Sequence, residues 1–369
     1  MIKFLYANNY KSFVNFRINF DQLNLLIGQN GSGKSNVFYL IACLRDLIQG
    51  QNMALFTGFP VSTKTRWLKS DIQTFELGLS EEEHKYVYKL EIEQNAENNT
   101  TKIISEKVEC NGILLYQMTG SGAVLYDDHQ KGMTVLVDPT ASGVSFVPSD
   151  SSYQLLQGFR RQIDRIILCI PNPRTMQETI TNDVYIPRVD FSNIASTYAE
   201  LMQLDPEIYN DLTNRFREIF PAFFKTRISV EQFGKYLSFD YKYNDVTSSY
   251  HLNELSDGER MLFALYLLLY GFTKRGYYIL LDEPDNYVSI RELQPWCIDL
   301  EEEADQNGQC LLISHHPEII DYFADTRGIW LSRLKSGESV VIDAPGISDN
   351  KDLLTYSEMI ARGMLDEIR

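Results

Sequence analysis

The segment Gly28–Ser35, GQNGSGKS, has the residue types and spacing of a loop that binds phosphate groups. It fits the pattern G-x-x-x-x-G-K-[ST] without a mismatch, and its small residues let backbone N–H groups curl around a phosphate. In such a loop the Lys34 ammonium reaches the outer phosphates of a nucleotide, and the Ser35 hydroxyl binds Mg²⁺. The residues that we predict to line the loop are Asn30, Gly31, Ser32, Gly33, Lys34, Ser35 and Asn36.

A loop of this kind lies between a buried strand and a helix. The apolar run Leu23–Ile27 predicts the strand, and a helical pattern runs from Lys34 to Gln49. The positive N-terminal end of that helix would point at the phosphates. The alternative is a glycine-rich turn without a ligand, but it does not explain why the complete pattern occurs in this context.

The acidic pair Asp282-Glu283 is the second candidate for chemistry. It follows the apolar run Tyr278–Leu281, which predicts a buried parallel strand with both carboxylates at its C-terminal end. Adjacent carboxylates in such a place are costly unless a cation is bound beside them. We therefore expect Asp282 to hold Mg²⁺, directly or through water, and Glu283 to polarise an attacking water molecule. The alternative is a strand that ends in an acidic surface turn.

Two further segments place a polar turn beside an apolar element. The sequence LSDGE, Leu255–Glu259, predicts a helix that Ser256 caps and that continues through the apolar run Met261–Phe272. Taken alone, this is a well-capped buried helix. The apolar run Cys310–Ile313 predicts another buried strand, and the sequence SHHP, residues 314–317, follows it.

These four segments, in this order, resemble the RecF/SMC-like branch of ABC-type ATPases. Within it, the chain is similar to short ATPase subunits of bacterial anti-phage and DNA-maintenance systems. The stretch from Tyr6 to Asn36 resembles that branch's N-terminal strand pair and phosphate loop, and Asp190–Glu231 resembles its helical segment before the signature. Thr355–Met364 resembles the tail of the same subunits. The resemblance is weak between residues 79 and 150.

The resemblance implies roles for further residues. His315 matches the histidine that senses the γ-phosphate, which makes it a candidate catalytic residue together with Glu283. Lys11 matches a basic residue that reaches the nucleotide. LSDGE is similar to the ABC signature LSGGQ, which acts on the nucleotide of a second copy in trans. The signature residues are Leu255, Ser256, Asp257, Gly258 and Glu259.

The resemblance also implies the fold, the cofactors and the partners. The implied fold is an α/β P-loop NTPase of ABC/RecF-like type, with a mixed-sheet core, a flanking antiparallel β-subdomain and a helical lobe. The implied cofactors are ATP and Mg²⁺, held in a homodimer that sandwiches two ATP molecules. We expect an ATPase that converts ATP and water to ADP and phosphate, and that controls a separate nuclease- or toxin-like effector protein in anti-phage defence.

The chain departs from the family pattern in three places. The turn after Glu283, Asp285–Ser289, lacks the aspartate that transport proteins have near the end of their D-loop. The glutamine of the Q-loop cannot be placed, and Gln73 is only a weak candidate. No long heptad arms interrupt the sequence, which argues against a true SMC protein.

Composition limits the alternatives. The 369 residues carry 34 basic and 50 acidic side chains, a formal charge of −16, so any contact with DNA would have to be local or be made by a partner. Five cysteines without a paired spacing suggest reduced thiols and no zinc site. No export signal and no membrane span are recognisable, so we expect a cytoplasmic protein.

The middle of the chain changes character. Six apolar or alternating runs between residues 71 and 145 predict an antiparallel sheet, and helical spacing follows from 150 to 225. We therefore divide the chain into a nucleotide-binding lobe (1–150), a helical lobe (151–250) and a signature, strand and switch-histidine part (251–369). Basic residues in the helical stretch form either a solvated face or a docking surface. They are Arg160, Arg161, Arg165, Arg174 and Arg188.

Two other functions compete with the ATPase switch. One is a binding scaffold in which ATP is structural and hydrolysis incidental. The other is a stand-alone DNA-repair ATPase similar to RecF, which the acidic balance disfavours. Measured ATP turnover distinguishes the ATPase switch from the binding scaffold. Salt-dependent DNA binding distinguishes the DNA-repair ATPase from the switch.

Overall fold

The computed structural model describes residues 1–51, 54–95, 100–120, 122–181, 185–342 and 355–362. The chain divides into two compact units. Unit 1 consists of Met1–Asp21, Leu26–Ile166 and Ile329–Pro345. Unit 2 consists of Gln22–Leu25, Ile167–Gly328 and Gly346–Arg369. Their boundaries alternate along the sequence, and the division into three lobes stays a prediction.

The strands, in chain order, are β1 (Ile2–Asn8), β2 (Phe16–Asn19), β3 (Leu23–Ile27), β4 (Ile72–Glu81), β5 (His84–Asn95), β6 (Thr100–Cys110), β7 (Ile113–Thr119), β8 (Gly122–Tyr126), β9 (Gly132–Leu136), β10 (Ile166–Cys169), β11 (Thr179–Ile180), β12 (Phe223–Glu231), β13 (Gly234–Tyr243), β14 (Val246–His251), β15 (Tyr278–Asp282), β16 (Gln309–Ile313), β17 (Gly328–Arg333) and β18 (Ser339–Ile342). The helices are α1 (Lys34–Ile48), α2 (Ala54–Gly58), α3 (Gln154–Asp164), α4 (Ile194–Leu204), α5 (Glu207–Ile219), α6 (Asp257–Gly271), α7 (Ile290–Gln306), α8 (Pro317–Arg327) and α9 (Tyr356–Ala361).

Unit 1 contains an eight-stranded antiparallel sheet in the order β2-β1-β4-β5-β6-β7-β8-β9. The strands β4 to β9 are the six runs that the sequence predicts. Alternate residues of β5 are buried, as period-2 patterning requires. The ring of Phe159 in α3 lies 6.0 Å from that of Tyr88, so this helix covers the buried face of the sheet. The tip of the β5–β6 hairpin, residues 96–99, lies outside the described residues.

The phosphate-loop segment of unit 1 starts from the end of β3 and continues into α1. The strand β17, which pairs with β18 in antiparallel orientation, also belongs to this unit. The backbone N–H of Ser339 in β18 donates to the carbonyl of Ser12, 2.9 Å away. The helix α1 spans almost the predicted range, and it buries Val37, Leu40 and Ile41.

Unit 2 is built around short, fully buried strands. β15 pairs with β16 in parallel, from Tyr278 opposite Gln309 to Asp282 opposite Ile313. Every residue of both strands is buried, as the apolar runs predict. The helix α6 buries all residues from Met261 to Gly271, which confirms the predicted buried helix.

The segment expected to be helical differs in part from that expectation. Its helices are α3, α4 and α5, but residues 223–251 form the antiparallel strands β12, β13 and β14. Residues 166–169 also leave the predicted helix and form β10, because all four are apolar and buried beside β15. Helical spacing cannot separate a short buried strand from the end of an apolar helix.

Other features of the described chain bear on earlier expectations. All five cysteines are free thiols, four of them buried. Among the described residues, no helix combines the length and apolar character that a membrane span requires. The family-like tail segment forms α9 up to Ala361, and its last two residues, 363 and 364, lie outside the described residues.

Candidate functional site

Two glycines of the phosphate loop lie where a side chain would collide with neighbouring residues. Gly33 has φ 108° and ψ 4°, and a Cβ there would lie 2.9 Å from both Phe13 Cε1 and Ser339 Oγ. A Cβ on Gly28 would lie 2.2 Å from the carbonyl oxygen of Leu331. These close distances explain why the loop carries glycine before Lys34 and at its start.

The helix α1 begins directly after Gly33, and no side chain among the described residues caps it. The first backbone N–H groups of α1 therefore donate to no side-chain cap, and N–H groups of this kind bind anions at a helix N-terminus. Ser32 is 1% exposed, and its Oγ has no hydrogen-bond partner in the described structure. A buried hydroxyl without a partner and a helix end without a cap both fit a phosphate ligand.

Lys34, the first residue of α1, is buried, and its ammonium folds back over the loop. Its Nζ donates to the carbonyl oxygens of Gly28 at 2.6 Å and Gln29 at 3.1 Å. The charge of Lys34 thus lies over the curve of the loop, where the sequence predicts the outer phosphates. Ser35, the predicted Mg²⁺ ligand, is half-buried in the same first turn.

Lys11 lies beside the first turn of α1. Its Nζ donates to Asn36 Oδ1 at 2.8 Å and lies 5.5 Å from the centre of the Tyr10 ring and 5.9 Å from that of Tyr39. Burial lowers the pKa of Lys11, and the neighbouring Cys43 partly offsets that shift. The structure therefore brings together Lys11 and Asn36, which the sequence predicts as neighbours on the nucleotide.

Glu283 lies at the C-terminal end of β15 in a strained backbone conformation. Its φ is 51°, a region that costs a non-glycine residue about 1–3 kcal/mol and that is concentrated at functional sites. Its N–H donates to the carbonyl of Ile313 at 2.8 Å, so the turn is fixed to the end of β16. The exposed carboxylate accepts a hydrogen bond from Asn286 Nδ2 at 2.8 Å. Asp282, directly before it, is 8% exposed.

The two adjacent histidines after β16 have different surroundings. His316 is the N-cap of α8, because its Nδ1 accepts the N–H of Glu318 at 3.2 Å. Its own N–H donates to Ser314 Oγ at 2.9 Å. His315 is exposed. Since β15 and β16 end side by side, His315 and Glu283 follow neighbouring strand ends. His316 therefore has a structural role, and His315 remains the candidate for chemistry.

The signature segment forms the N-terminus of α6 with a complete capping box. Ser256 Oγ accepts the N–H of Glu259 at 3.2 Å, and Glu259 Oε2 accepts the N–H of Ser256 at 3.0 Å. Tyr241 also donates to Glu259, at 2.9 Å. The sequence predicts the cap at Ser256, and the structure confirms it. Ser256 is exposed, whereas Leu255 is buried.

A cluster of residues from three segments of unit 2 surrounds the start of α6. Arg174 Nε donates to Asp257 Oδ2 at 3.2 Å, and its guanidinium carbon lies 5.5 Å from the centre of the Tyr287 ring. A Cβ on Gly258 would lie 3.0 Å from the carbonyl oxygen of Tyr287. Arg260 donates to Asp257 as well, with a nitrogen–oxygen distance of 2.6 Å. The signature and the turn after Glu283 are therefore in direct contact.

Sequence reasoning missed two of these partners. Asn286 lies three residues after Glu283. At this spacing a turn brings two side chains together, so the sequence offered a signal for this contact. Arg174 precedes Asp257 by 83 residues, and nothing in the local sequence links them. Gln73, the weak Q-loop candidate, is fully buried, and its amide donates to the carbonyl of Asn9 at 2.8 Å.

Each of these segments carries groups of the kind that phosphoryl transfer to water uses. The loop residues supply N–H donors for phosphate oxygens, a lysine ammonium and a hydroxyl. The strand end supplies a buried carboxylate next to an exposed one whose orientation Asn286 fixes. Within the described residues, no group of three or more His, Cys, Asp or Glu side chains forms a ready metal site. A Mg²⁺ ion bound with one or two protein ligands and substrate phosphates needs no such group.

Comparison with models of protein families identifies the family of this chain. The family model AAA_23, an AAA domain, matches residues 5–231, a span that includes Lys11 and the whole phosphate loop. A search among curated proteins gives no match.

Several solved structures have a similar fold. One is an SMC head bound to the C-winged helix domain of ScpA, with 16% identity, a TM-score of 0.58 and coverage of 94% of this chain and 99% of that chain. The SMC head domain from Thermotoga maritima has 15% identity and a TM-score of 0.50, covering 92% and 98%. An SMC head with an extended coiled coil from Pyrococcus furiosus, bound to the C-terminal domain of ScpA, has 13% identity and a TM-score of 0.51, covering 100% and 99%. The chain thus has the SMC head-like α/β fold that the sequence predicts.

Proposed function

This chain belongs to the AAA domain family AAA_23, and on that premise we propose that it binds ATP with Mg²⁺, hydrolyses it to ADP and phosphate, and acts as a homodimer. The observation that carries the proposal is the phosphate loop. A complete G-x-x-x-x-G-K-S sequence curls between a buried strand and a helix without a side-chain cap, with a glycine at φ 108° where a Cβ would collide. Such a loop leaves backbone N–H groups for phosphate oxygens.

In the proposed reaction, Lys34 binds the β- and γ-phosphates, and Lys11 adds a second positive charge beside Asn36. Ser35 and Asp282 hold Mg²⁺, which when bound neutralises the charge on the phosphate oxygens. Glu283 orients and polarises the attacking water, and Asn286 holds the Glu283 carboxylate in place. His315 senses the γ-phosphate from the end of the neighbouring strand.

The dimer is proposed from the signature segment. In the ABC-type arrangement, Ser256 and Gly258 of one copy face the ATP of the other. The exposed position of Ser256 at the N-terminus of α6 supports this, because its side chain is accessible to a second copy. ATP would then close the dimer and hydrolysis would open it.

The output is proposed to pass through a separate protein. Control of a nuclease- or toxin-like effector in anti-phage defence follows from the resemblance of the sequence to such subunits. Loss of phage protection in cells that carry Lys34→Ala, with protection retained in cells that carry the unmodified chain and its operon, would support this role. Equal protection by both would contradict it.

The first test of the enzyme is ATP turnover by the purified chain with Mg²⁺. Lys34→Ala removes the charge that faces the outer phosphates, and we expect both ATP affinity and turnover to fall. A variant with full ATP affinity would show that this loop is not the nucleotide site. Tight ATP binding without turnover by the unmodified chain would favour the scaffold alternative.

The second test concerns the composite dimer. Ser256→Arg puts a bulky side chain where the signature approaches the phosphate, so it should block closure and leave ATP binding by the monomer intact. In mixed dimers with Lys34→Ala protein, one site carries both defects and the other carries neither. Turnover should therefore recover on mixing, up to roughly a quarter of the unmodified rate if copies pair at random and sites act alone. Full activity of Ser256→Arg alone, at concentrations too low for dimers, would exclude the composite site.

A further inference from the structure

The eight-stranded sheet of unit 1 ends at β9. The face that is buried along the neighbouring strands is exposed at this last strand. On β8 this face carries Ala123 and Leu125, which are 2% and 4% exposed. The register pairs them with Val135 and Met133 of β9, so these two side chains continue the same apolar face. Met133 is nevertheless 44% exposed. The layer that covers the sheet therefore stops before the last strand.

An apolar groove of about 410 Å³ lies at this open edge. Its lining includes Leu125, Met133, Val135, Leu136, Phe146 and Pro148. Leu136 is 92% exposed and Phe146 is 76% exposed, which is unusual for side chains of this size. An exposed apolar patch with a concave centre indicates a binding surface.

The wall of the groove is rigidly attached to the sheet. Glu106 of β6 is fully buried, and its carboxylate accepts hydrogen bonds from the N–H of Gly143 at 2.9 Å and from the Ser142 hydroxyl. Tyr88 donates to the same carboxylate at 2.8 Å. Arg160 of α3 donates to the carbonyl oxygens of Val144 and Ser145 at 3.0 and 2.7 Å. The groove is thus formed before any ligand binds.

The outer edge of β9 offers backbone hydrogen bonds. In the described chain, β9 pairs with β8 alone. The N–H of Asp127 donates to Lys131, so Asp127 and Lys131 form a hydrogen-bonded pair, and the antiparallel alternation makes Met133 and Val135 the next such positions. The N–H and C=O of Thr134 therefore point away from β8. An edge of this kind pairs readily with an extended segment of another chain.

The charge around the groove favours a positively charged partner segment. Residues 122–150 contain four aspartates and one lysine, a net charge of −3. Asp138 lines the groove, and Asp150 lies two residues after Pro148. Hydrogen bonds from Thr140 and from Ser152 lower the pKa values of Asp138 and Asp150, so both carry negative charge at neutral pH. A segment with positive side chains would complement this rim.

We propose that the β9 edge and its groove bind an extended segment of a partner protein. The segment adds a strand beside β9, places a large apolar side chain against Met133 and Phe146, and carries Lys or Arg residues that face Asp138 and Asp150. This surface is separate from the phosphate loop and the signature segment in sequence.

A peptide probe tests the proposal directly. The probe is a fluorescein-labelled peptide, Lys-Val-Lys-Phe-Lys-Val-Lys, in which every second side chain is apolar, and the comparison peptide has Glu in place of each Lys. Fluorescence anisotropy should show micromolar binding of the Lys peptide to the full chain and at least about tenfold weaker binding of the Glu peptide. Equal affinity for both peptides, or no binding up to millimolar chain, would overturn the proposal.

Variants identify the surface. Met133→Lys fills the groove with a charge, and Thr134→Pro removes one outward N–H without breaking the ladder with β8, since proline is tolerated at an exposed edge. Each variant should bind the Lys peptide at least about tenfold more weakly and should keep its thermal unfolding transition. Phe233→Ser is the matched control, because Phe233 is 86% exposed and is not among the residues that line the groove, and this variant should bind the Lys peptide normally. Equal weakening by all three variants would overturn the assignment.

A second copy of the chain is the competing occupant. Sedimentation without nucleotide should show that Met133→Lys does not alter the oligomeric state. A dimer that forms without nucleotide and that Met133→Lys dissociates would show that the surface pairs with itself, and the partner proposal would fail.

Discussion

Replacement of Gly33 by alanine perturbs the phosphate loop directly before Lys34. Gly33 has φ 108°, where a residue with a Cβ is disfavoured by about 1–2 kcal/mol. The added methyl group would lie 2.9 Å from Phe13 Cε1 and Ser339 Oγ. Neither neighbour can retreat easily, because the Phe13 ring is buried and stacks on Phe16 at 4.2 Å, and Ser339 Oγ donates to Ser12 Oγ at 2.7 Å. Overpacking of this kind costs about 1–3 kcal/mol more.

The expected loss in free energy of unfolding for Gly33→Ala is therefore about 2–5 kcal/mol. Gly112→Ala is the control, since Gly112 has φ 80° but nothing lies within 4 Å of the added Cβ, and it should lose only about 1–2 kcal/mol. Urea denaturation measures both. In the same proteins, ATP affinity should fall at least about tenfold for Gly33→Ala, which is about 1.4 kcal/mol, and stay unchanged for Gly112→Ala. Equal losses of stability in the two variants, together with normal ATP affinity, would refute the reasoning.

Four further substitutions test neighbouring parts of the site. Asn286→Ala removes the hydrogen bond to the Glu283 carboxylate, and steady-state turnover should fall roughly tenfold with ATP affinity retained; an unchanged rate would remove Asn286 from the site. His315→Ala should lower turnover at least about tenfold. His316→Ala should instead destabilise the chain by about 1 kcal/mol in denaturant titrations through loss of the α8 cap, and the reverse pattern would exchange the two assignments. Arg174→Ala should weaken the ATP-dependent dimer roughly threefold to tenfold in sedimentation experiments, since Arg174 joins the signature to the turn after Glu283; a dimer of unchanged affinity would contradict that link.

Local patterns predicted most of the elements that hold the site. The alternating runs between residues 71 and 145 form strands, and in β4, β5, β6 and β8 buried residues alternate with more exposed ones over most of the strand. The cap at Ser256 was predictable, because its partner Glu259 lies three residues away in the sequence. The helix after the phosphate loop likewise begins at the residue that the pattern indicates.

Features that depend on distant residues were not predictable. Residues 166–169 continue an apolar helical pattern, and only burial beside β15 makes them a strand. The strands β12, β13 and β14 pair with one another and carry many exposed residues, so period-2 patterning is weak there. Nothing in the sequence near Asp257 indicates that Arg174 would bind it. The roles assigned to the site residues stay predictions that the experiments above test.

The most direct test of the central claim is the behaviour of Glu283→Gln with ATP and Mg²⁺. Glutamine keeps the size of the side chain and can still accept a hydrogen bond from Asn286, but it cannot act as a base. Turnover should therefore fall at least about 10²-fold, while ATP binding persists and an ATP-bound dimer accumulates in light-scattering measurements. Unchanged turnover would exclude Glu283 from the chemistry, and a monomer saturated with ATP would contradict the proposed switch.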